Sequence, residues 1–254
     1  MTIIAVPYHL DERLPSFPLG VPVVREVTVE LPAGGAWERM AVLYERVAQA
    51  VHEAMGRGAT PVVVSGDCTT SLGILAGLQR HGRDPAIVWF DAHADFHTED
   101  TTTSGYLGGM PLALAVGTGT LTLPAALGLR PVPEQRAVLV DARDTDPGEE
   151  QLLSRSSVVR MTVDQLDADS LPEGDIYLHL DADVVDAAEL PGLLYPVAGG
   201  PAQDDVVAAV ERIAAAGRLA AVGIGATWHH DADTATHEAL LRRLVEAVRP
   251  GTSG

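Results

Sequence analysis

Residues 86–97 read AIVWFDAHADFH, an apolar run that ends abruptly in alternating carboxylates and histidines. Residues 86–90 have the length and composition of a buried parallel strand, which puts Asp91, His93 and Asp95 at its carboxyl end. That edge is where open α/β sheets carry their sites. Alternate residues of an extended segment share a face, so the three side chains can converge on one point. Two carboxylates and an imidazole suit a hard or borderline divalent cation. A solvated acidic loop is the competing reading of one such triplet, and a second cluster argues against it. Residues 175–180, DIYLHL, read as another buried strand that delivers Asp181 and Asp183 to the same edge, with Asp186 following. So many neighbouring carboxylates would cost on the order of several kcal/mol in repulsion and desolvation unless a cation neutralised them. A metal site is the favoured account.

The chain has 254 residues, enough for a sizeable core, and is expected to form one domain over 1–254. Seventeen basic against 35 acidic residues give a formal charge of −18. That balance repels phosphate backbones, so no nucleic-acid partner is expected, and it favours local cation binding. The single cysteine, Cys68, cannot form an internal disulfide, and the N-terminus lacks a basic region ahead of a long apolar run. A cytoplasmic location is therefore expected. The uncharged stretch 106–129 holds Pro111, Pro124 and several glycines. It reads as a loop, a buried helix over 111–116 and another loop; no membrane span is expected.

Periodicity predicts strands at 3–6, 21–31, 61–64, 86–90, 137–140, 158–163, 175–180 and 219–224. Helices are predicted over 36–55, up to about Gly82 after a cap at Thr69 or Thr70, from Pro147, over 204–216 and over 234–248. Strands alternating with helices at this spacing argue for a mostly parallel sheet covered on both faces. No repeat or Pro/Ser-rich linker divides the chain.

The segments SGDC (65–68), WFDAHADFH (89–97), RDTDPGE (143–149), LDADVVD (180–186) and PVAGG (196–200) follow one another in this order. In them the chain resembles the arginase, or ureohydrolase, superfamily from about residue 61 to 228. The resemblance implies a three-layer α/β/α fold and two manganese ions (Mn2+) activating a bridging hydroxide. It implies hydrolysis of a linear carbon–nitrogen bond in a guanidino or amidino group; one ion, or another divalent metal, stays open. Carried over by position, Asp91 and Asp181 bridge the ions, Cys68 and Asp95 complete one site, and His93 and Asp183 the other. Thr102 and Ser104 fall where a substrate α-carboxylate is held, and Asp146 and Glu149 where an α-amino group is read. Those four can equally be capping and loop residues.

The chain departs from the pattern in several places. Cys68 stands where arginases and agmatinases usually have histidine, and a thiolate can tune the site to a softer ion, bind weakly or stand aside. Gly108 replaces a proton-shuttle histidine, and His97 replaces an asparagine. Trp228, followed by His229 and His230, aligns with a glutamate that grips the guanidinium. The GDC and GYLGGM features resemble hydroxyarginine hydrolases. Asp95, His97, His229 and His230 are the candidate catalytic residues; for each histidine a core or surface role is the alternative. The expected substrate is a small amino acid with a modified guanidino tail. A non-catalytic descendant that binds metal or an amino acid is the alternative, and a homo-oligomer remains open.

Overall fold

The computed structural model describes residues 1–225, 228–229 and 232–249. The chain opens with β1 (Thr2–Val6), a small hairpin of β2 (Tyr8–His9) and β3 (Glu12–Arg13), and β4 (Arg25–Glu26). Helix α1 (Ala36–Gly56) leads to β5 (Pro61–Ser65), α2 (Ser71–Arg80) and β6 (Ala86–Phe90). Then come α3 (Pro111–Ala115), α4 (Thr122–Ala126), β7 (Ala137–Val140), α5 (Pro147–Leu153) and β8 (Val159–Met161). The last elements are β9 (Ile176–Asp181), α6 (Gln203–Ala215), β10 (Leu219–Gly225) and α7 (Ala235–Ala247).

Eight strands form one sheet in the order β4-β1-β5-β10-β9-β6-β7-β8, and every neighbouring pair is parallel. Parallel neighbours need crossovers, and the helices that make them cover both faces. On one face Ile87, Trp89 and Tyr177 pack with α1 to α4; on the other Val88, Phe90, Leu178 and Leu180 pack with α6 and α7. The three-layer α/β/α arrangement expected from the sequence is the one observed. Its central strands β5, β10, β9 and β6 are buried almost end to end. Among the described residues no helix is long and apolar enough to cross a membrane.

Residues 21–31 do not form the continuous strand that their alternation predicts. Only Arg25 and Glu26 pair, opposite Ile4 and Ala5 at the sheet edge, and Val23 and Val24 stay 41% and 70% exposed. With no strand beyond it, the segment has no partner for its outer groups, and Pro22 removes a donor at its start. The predicted strand at 158–163 is trimmed to β8, because a 3₁₀ turn with a capping box from Thr162 to Gln165 takes over. α4 occupies residues read as loop, with Pro124 in its first turn, where a missing N–H costs little. Neither Thr69 nor Thr70 caps α2 with its side chain. Asp67 instead shapes the turn that leads into it, accepting the Thr69 and Thr70 amides at 2.8 and 3.3 Å and the Thr69 hydroxyl.

Gly73 and Gly77 let α2 lie against α1. A Cβ at Gly77 would stand 2.6 Å from the Ala48 carbonyl oxygen and 2.7 Å from Val51 Cβ, and at Gly73 it would stand 2.9 Å from the Tyr44 carbonyl oxygen. Alanine is otherwise the better helix former by about 1 kcal/mol. Overpacking against rigid backbone outweighs that gain, so Gly77→Ala is expected to lower unfolding free energy by about 1–3 kcal/mol in chemical denaturation. A variant as stable as the parent would show that the helices can separate freely.

Candidate metal centre

The carboxyl ends of β5, β6 and β9 meet at one cleft of about 210 Å³. Cys68, Asp91, His93, Asp95, Asp181 and Asp183 all line it. The sequence separates these residues by more than a hundred positions, and the parallel sheet returns each strand to the same edge.

The carboxylates hold their own loops in shape. Asp91 Oδ1 accepts the His93 amide at 2.7 Å, and Oδ2 accepts Trp89 Nε1–H at 3.2 Å. Asp181 Oδ1 accepts the Asp183 amide at 2.9 Å, while its Oδ2 accepts the Cys68 thiol at 2.8 Å. Asp183 reaches across to the other strand end, taking the Ala92 amide on Oδ1 at 3.1 Å and facing His93 Nδ1 with Oδ2 at 3.0 Å. Asp95 sits in the left-handed region at φ 52°, a conformation that costs a non-glycine residue on the order of 1 kcal/mol or more. The Leu112 and Ala113 amides bond its carbonyl oxygen and hold it there, while its buried Oδ2 has no partner among the described residues.

Burial pushes all four aspartates up. It raises Asp91 and Asp95, the latter also through the Asp91 charge; it lifts Asp181, with Asp183 beside it, to about 7, and Asp183, with Asp91 beside it, to about 6. Burial, then the Asp181 charge, pushes the Cys68 thiol up as well. Burial opposes a charge on His93, yet its bonds to Asp183 and Asp91 prevail and push it up to about 12. One imidazolium cannot neutralise this many carboxylates, and divalent cations can. The donor atoms are already gathered. Asp91, His93 and Asp183 offer ligand atoms within 4.8 Å of one another, and so do Cys68, Asp91 and His179. An orphaned carboxylate oxygen, oxygen-rich donors and an imidazole fit a divalent ion.

The cleft mouth collects His97, Ser104, Asp146 and Glu149. Glu149 is buried and accepts the Phe96 amide at 2.8 Å; burial raises its carboxyl. His97 Nε2 stands 3.5 Å from Asp146 and 3.9 Å from Glu149. Thr102 is not brought into the lining: its hydroxyl accepts the Gly105 amide at 3.0 Å and shapes the loop. Trp228 and His229 line a neighbouring hollow instead, Trp228 stacked on Phe17 with ring centres 6.0 Å apart. His230 lies outside the described residues.

Several lining residues escaped the sequence reading. Tyr106 and Tyr195 wall the mouth, with ring centres 5.3 Å apart, and Asp144 adds a carboxylate about 4.0 Å from His93 Nε2. Tyr106 also explains Gly108: any Cβ there would run into the Tyr106 ring. His179 was hidden inside a strand that reads as apolar, although its spacing of two from Asp181 puts both on one face.

A model of the arginase family matches residues 8–225. The chain is 31% identical to an arginase of Bacillus caldovelox over 186 residues, 68% of this chain and 62% of that one, so the match spans under two thirds of that relative's length. It is 32% identical to an N(omega)-hydroxy-L-arginine amidinohydrolase of Streptomyces lavendulae over 208 residues, 80% of this chain and 73% of that one. In fold, it superposes on the native structure of the Bacillus caldovelox arginase at pH 5.6 with a TM-score of 0.82 and 24% identity, covering 99% of this chain and 98% of that one.

The raised carboxyls fix how the metal-free protein responds to pH. Asp181 and Asp183 titrate higher in the folded chain than the ordinary carboxylate value of 3.8, so their contribution to stability is lost as pH rises through about 6 and 7. His93, raised to about 12, likewise contributes stability that is lost as pH rises above 6.5. Buried His179, lowered to about 3, acts in the opposite sense, and only below 6.5. Between pH 6.5 and 8 the chelated protein should therefore become less stable, Asp181 alone accounting for about 1 kcal/mol. Manganese should reverse the decline. Asp181→Asn should make it shallower, the share from His93 remaining, and weaken the protection by manganese. Thermal melts of chelated protein that rise or stay level across this window would contradict the assignment.

Proposed function

Because the chain belongs to the arginase family, we propose that its acidic cleft hydrolyses a linear carbon–nitrogen bond in an amino acid with a modified guanidino tail, N-hydroxyarginine being the best model. The observation that carries this reading is the gathering of six metal-type donors at one strand edge with Ser104, Asp146 and Glu149 at the mouth. Cys68, Asp91, His93, Asp95, Asp181 and Asp183 would hold two ions, manganese by the chemistry of the oxygen donors. When bound there, the ions supply an acidified water as nucleophile and polarise the scissile group.

The chain's own residues set which substrate can use that chemistry. Ser104 and Asp146 read the amino-acid head group, while Glu149 braces the loop through the Phe96 amide. His97, its Nε2 3.5 Å from an Asp146 carboxylate oxygen, is placed to hold a proton for the leaving amine. Tyr106 and Tyr195 shield the cleft from bulk water. Residues 219–229 contain no acidic side chain, so a guanidinium finds no carboxylate on that strand end. A hydroxyguanidine is a weaker base and enters neutral, avoiding an unpaired buried charge. The same absence, with Tyr106 filling the space beside Gly108, also favours a second reading, a protein that binds an amino acid without turnover.

Parallel assays of product amine decide between them. N-hydroxyarginine should be turned over at least about tenfold faster than arginine, a difference needing only ~1.4 kcal/mol at the transition state. Agmatine, which lacks the carboxylate, should be poor, and Asp146→Ala should damage turnover of both amino acids. Arginine as the best of the three would refute the tail argument, and agmatine equal to the others would refute the head-group assignment. No turnover by metal-loaded protein that still binds the amino acids would establish the second reading.

A further inference from the structure

His179 belongs to neither half of the site expected from the family resemblance. It lies in the interior of β9, 1% exposed, with its ring stacked on Trp89 at a centre-to-centre distance of 3.7 Å. A histidine is an unusual choice for a strand otherwise filled by Ile176, Tyr177, Leu178 and Leu180. Its two ring nitrogens are treated differently. Nδ1 is 3.0 Å from the Ser71 hydroxyl and 3.4 Å from that of Tyr177, which itself bonds Ser71 at 2.7 Å. Nε2 is buried and has no partner among the described residues. A ring nitrogen of His179, Cys68 Sγ and an Asp91 carboxylate oxygen lie within 4.8 Å of one another. Asp95, whose buried Oδ2 likewise has no partner among the described residues, lines the cleft with Cys68 and Asp91.

One imidazole nitrogen fixed by a hydrogen bond and the other left bare is the arrangement of a metal-ligating histidine. The Ser71 hydroxyl can rotate to accept from Nδ1–H, which frees the Nε2 lone pair. Resting on the metal-hydrolase reading above, we propose that His179 replaces the imidazole lost at position 68, so that Cys68 and His179, with Asp91, Asp95 and Asp181, form a mixed sulfur, nitrogen and oxygen site. The imidazole that arginases bring from the loop after β5 comes here from β9, and the shorter Cys68 leaves room for it. Gly225, whose Cβ would crowd Cys68 Sγ at 3.1 Å and Asp181 Oδ2 at 3.2 Å, keeps that room open. Thiolate and imidazole together favour zinc or cobalt over manganese, while the other half, Asp91, His93 and Asp183, keeps no sulfur. The two halves of this site therefore differ in the metal they prefer.

Cobalt(II) reports on this directly. Metal-free Asp183→Asn protein, with its other half weakened, is titrated with cobalt chloride and then competed with zinc or manganese chloride. Thiolate-to-cobalt absorption in the near ultraviolet should appear with the first equivalent, zinc should displace cobalt far more effectively than manganese, and Cys68→Ser should abolish the band. Adding His179→Gln, which keeps size and polarity, should weaken zinc at least about tenfold and alter the visible cobalt spectrum. His179→Ala should bind cobalt again when free imidazole is supplied, which guards against a folding defect passing for a ligand loss. Unchanged zinc affinity and spectrum in His179→Gln would overturn the proposal and make His179 a packing residue. Hydrolysis is measured in parallel. A cobalt spectrum that depends on His179, in protein with no amidine or guanidine turnover, defeats the functional reading alone, whereas turnover with a spectrum indifferent to His179 defeats this inference alone.

Discussion

The governing constraint in this protein is the cost of holding Asp91, Asp95, Asp181 and Asp183 together, each 8% exposed or less, at the dry edge of a parallel sheet. Coulomb repulsion and lost hydration both oppose it. The loops respond by spending backbone amides on the charges: those of Ala92, His93 and Asp183 all end on carboxylates of the cleft. That makes the loops after β6 and β9 a single interlocked unit, because Asp183 of one bonds the backbone of the other. A cation would complete what the amides begin. The same carboxylates that make the empty cleft unfavourable give it affinity, so stability of the metal-free chain and strength of metal binding pull in opposite directions.

Arg143 shows how far this interlocking extends. Its guanidinium donates to the carbonyls of Asp183, Val184 and Val197 at 2.9–3.1 Å, tying the turn after β9 to the PVAGG segment. Gly200 is needed there, since a Cβ would meet the guanidinium and the Val184 carbonyl. On the opposite side Tyr106 bonds His9 at 3.1 Å, so the β2–β3 hairpin helps to brace the cleft wall. Chemistry is concentrated at the strand ends, but the rigidity that positions it is drawn from loops across the whole edge.

Much of this was legible in the sequence because parallel strands and their following carboxylates leave a local record. Residues 86–97 and 175–183 each hold an apolar run and its ligands within one short window, so both the sheet and the metal donors can be read there. Edge structure left a weaker record: residues 21–31 alternate like a strand, but alternation cannot say whether a partner exists on the second side. His179 was missed for the converse reason. Its neighbours mark it as core, and only the three-dimensional proximity of Cys68, contributed by another strand, reveals a different role. Thr102 and Trp228 fall at family positions yet lie outside the cleft lining, since position in a motif fixes the chain path more firmly than the direction of a side chain.

The placement of β10 has a consequence for how the protein comes into being. β10 lies between β5 and β9, so the strand that leads to Cys68 is joined to the strand carrying Asp181 only through residues 219–225. Those residues, LAAVGIG, are small and apolar where they enter, and Gly225 ends beneath the Cys68–Asp181 contact. Contacts of such long sequence separation form late, because the chain must close a large loop before gaining from it. The two acidic strand ends, those of β6 and β9, pair directly with each other, so what residues 219–225 bring to the cleft is the approach of Cys68. The strand order thus lets β6 and β9 assemble the carboxylates of the cleft by themselves and makes the thiol's place beside them depend on the last strand of the sheet.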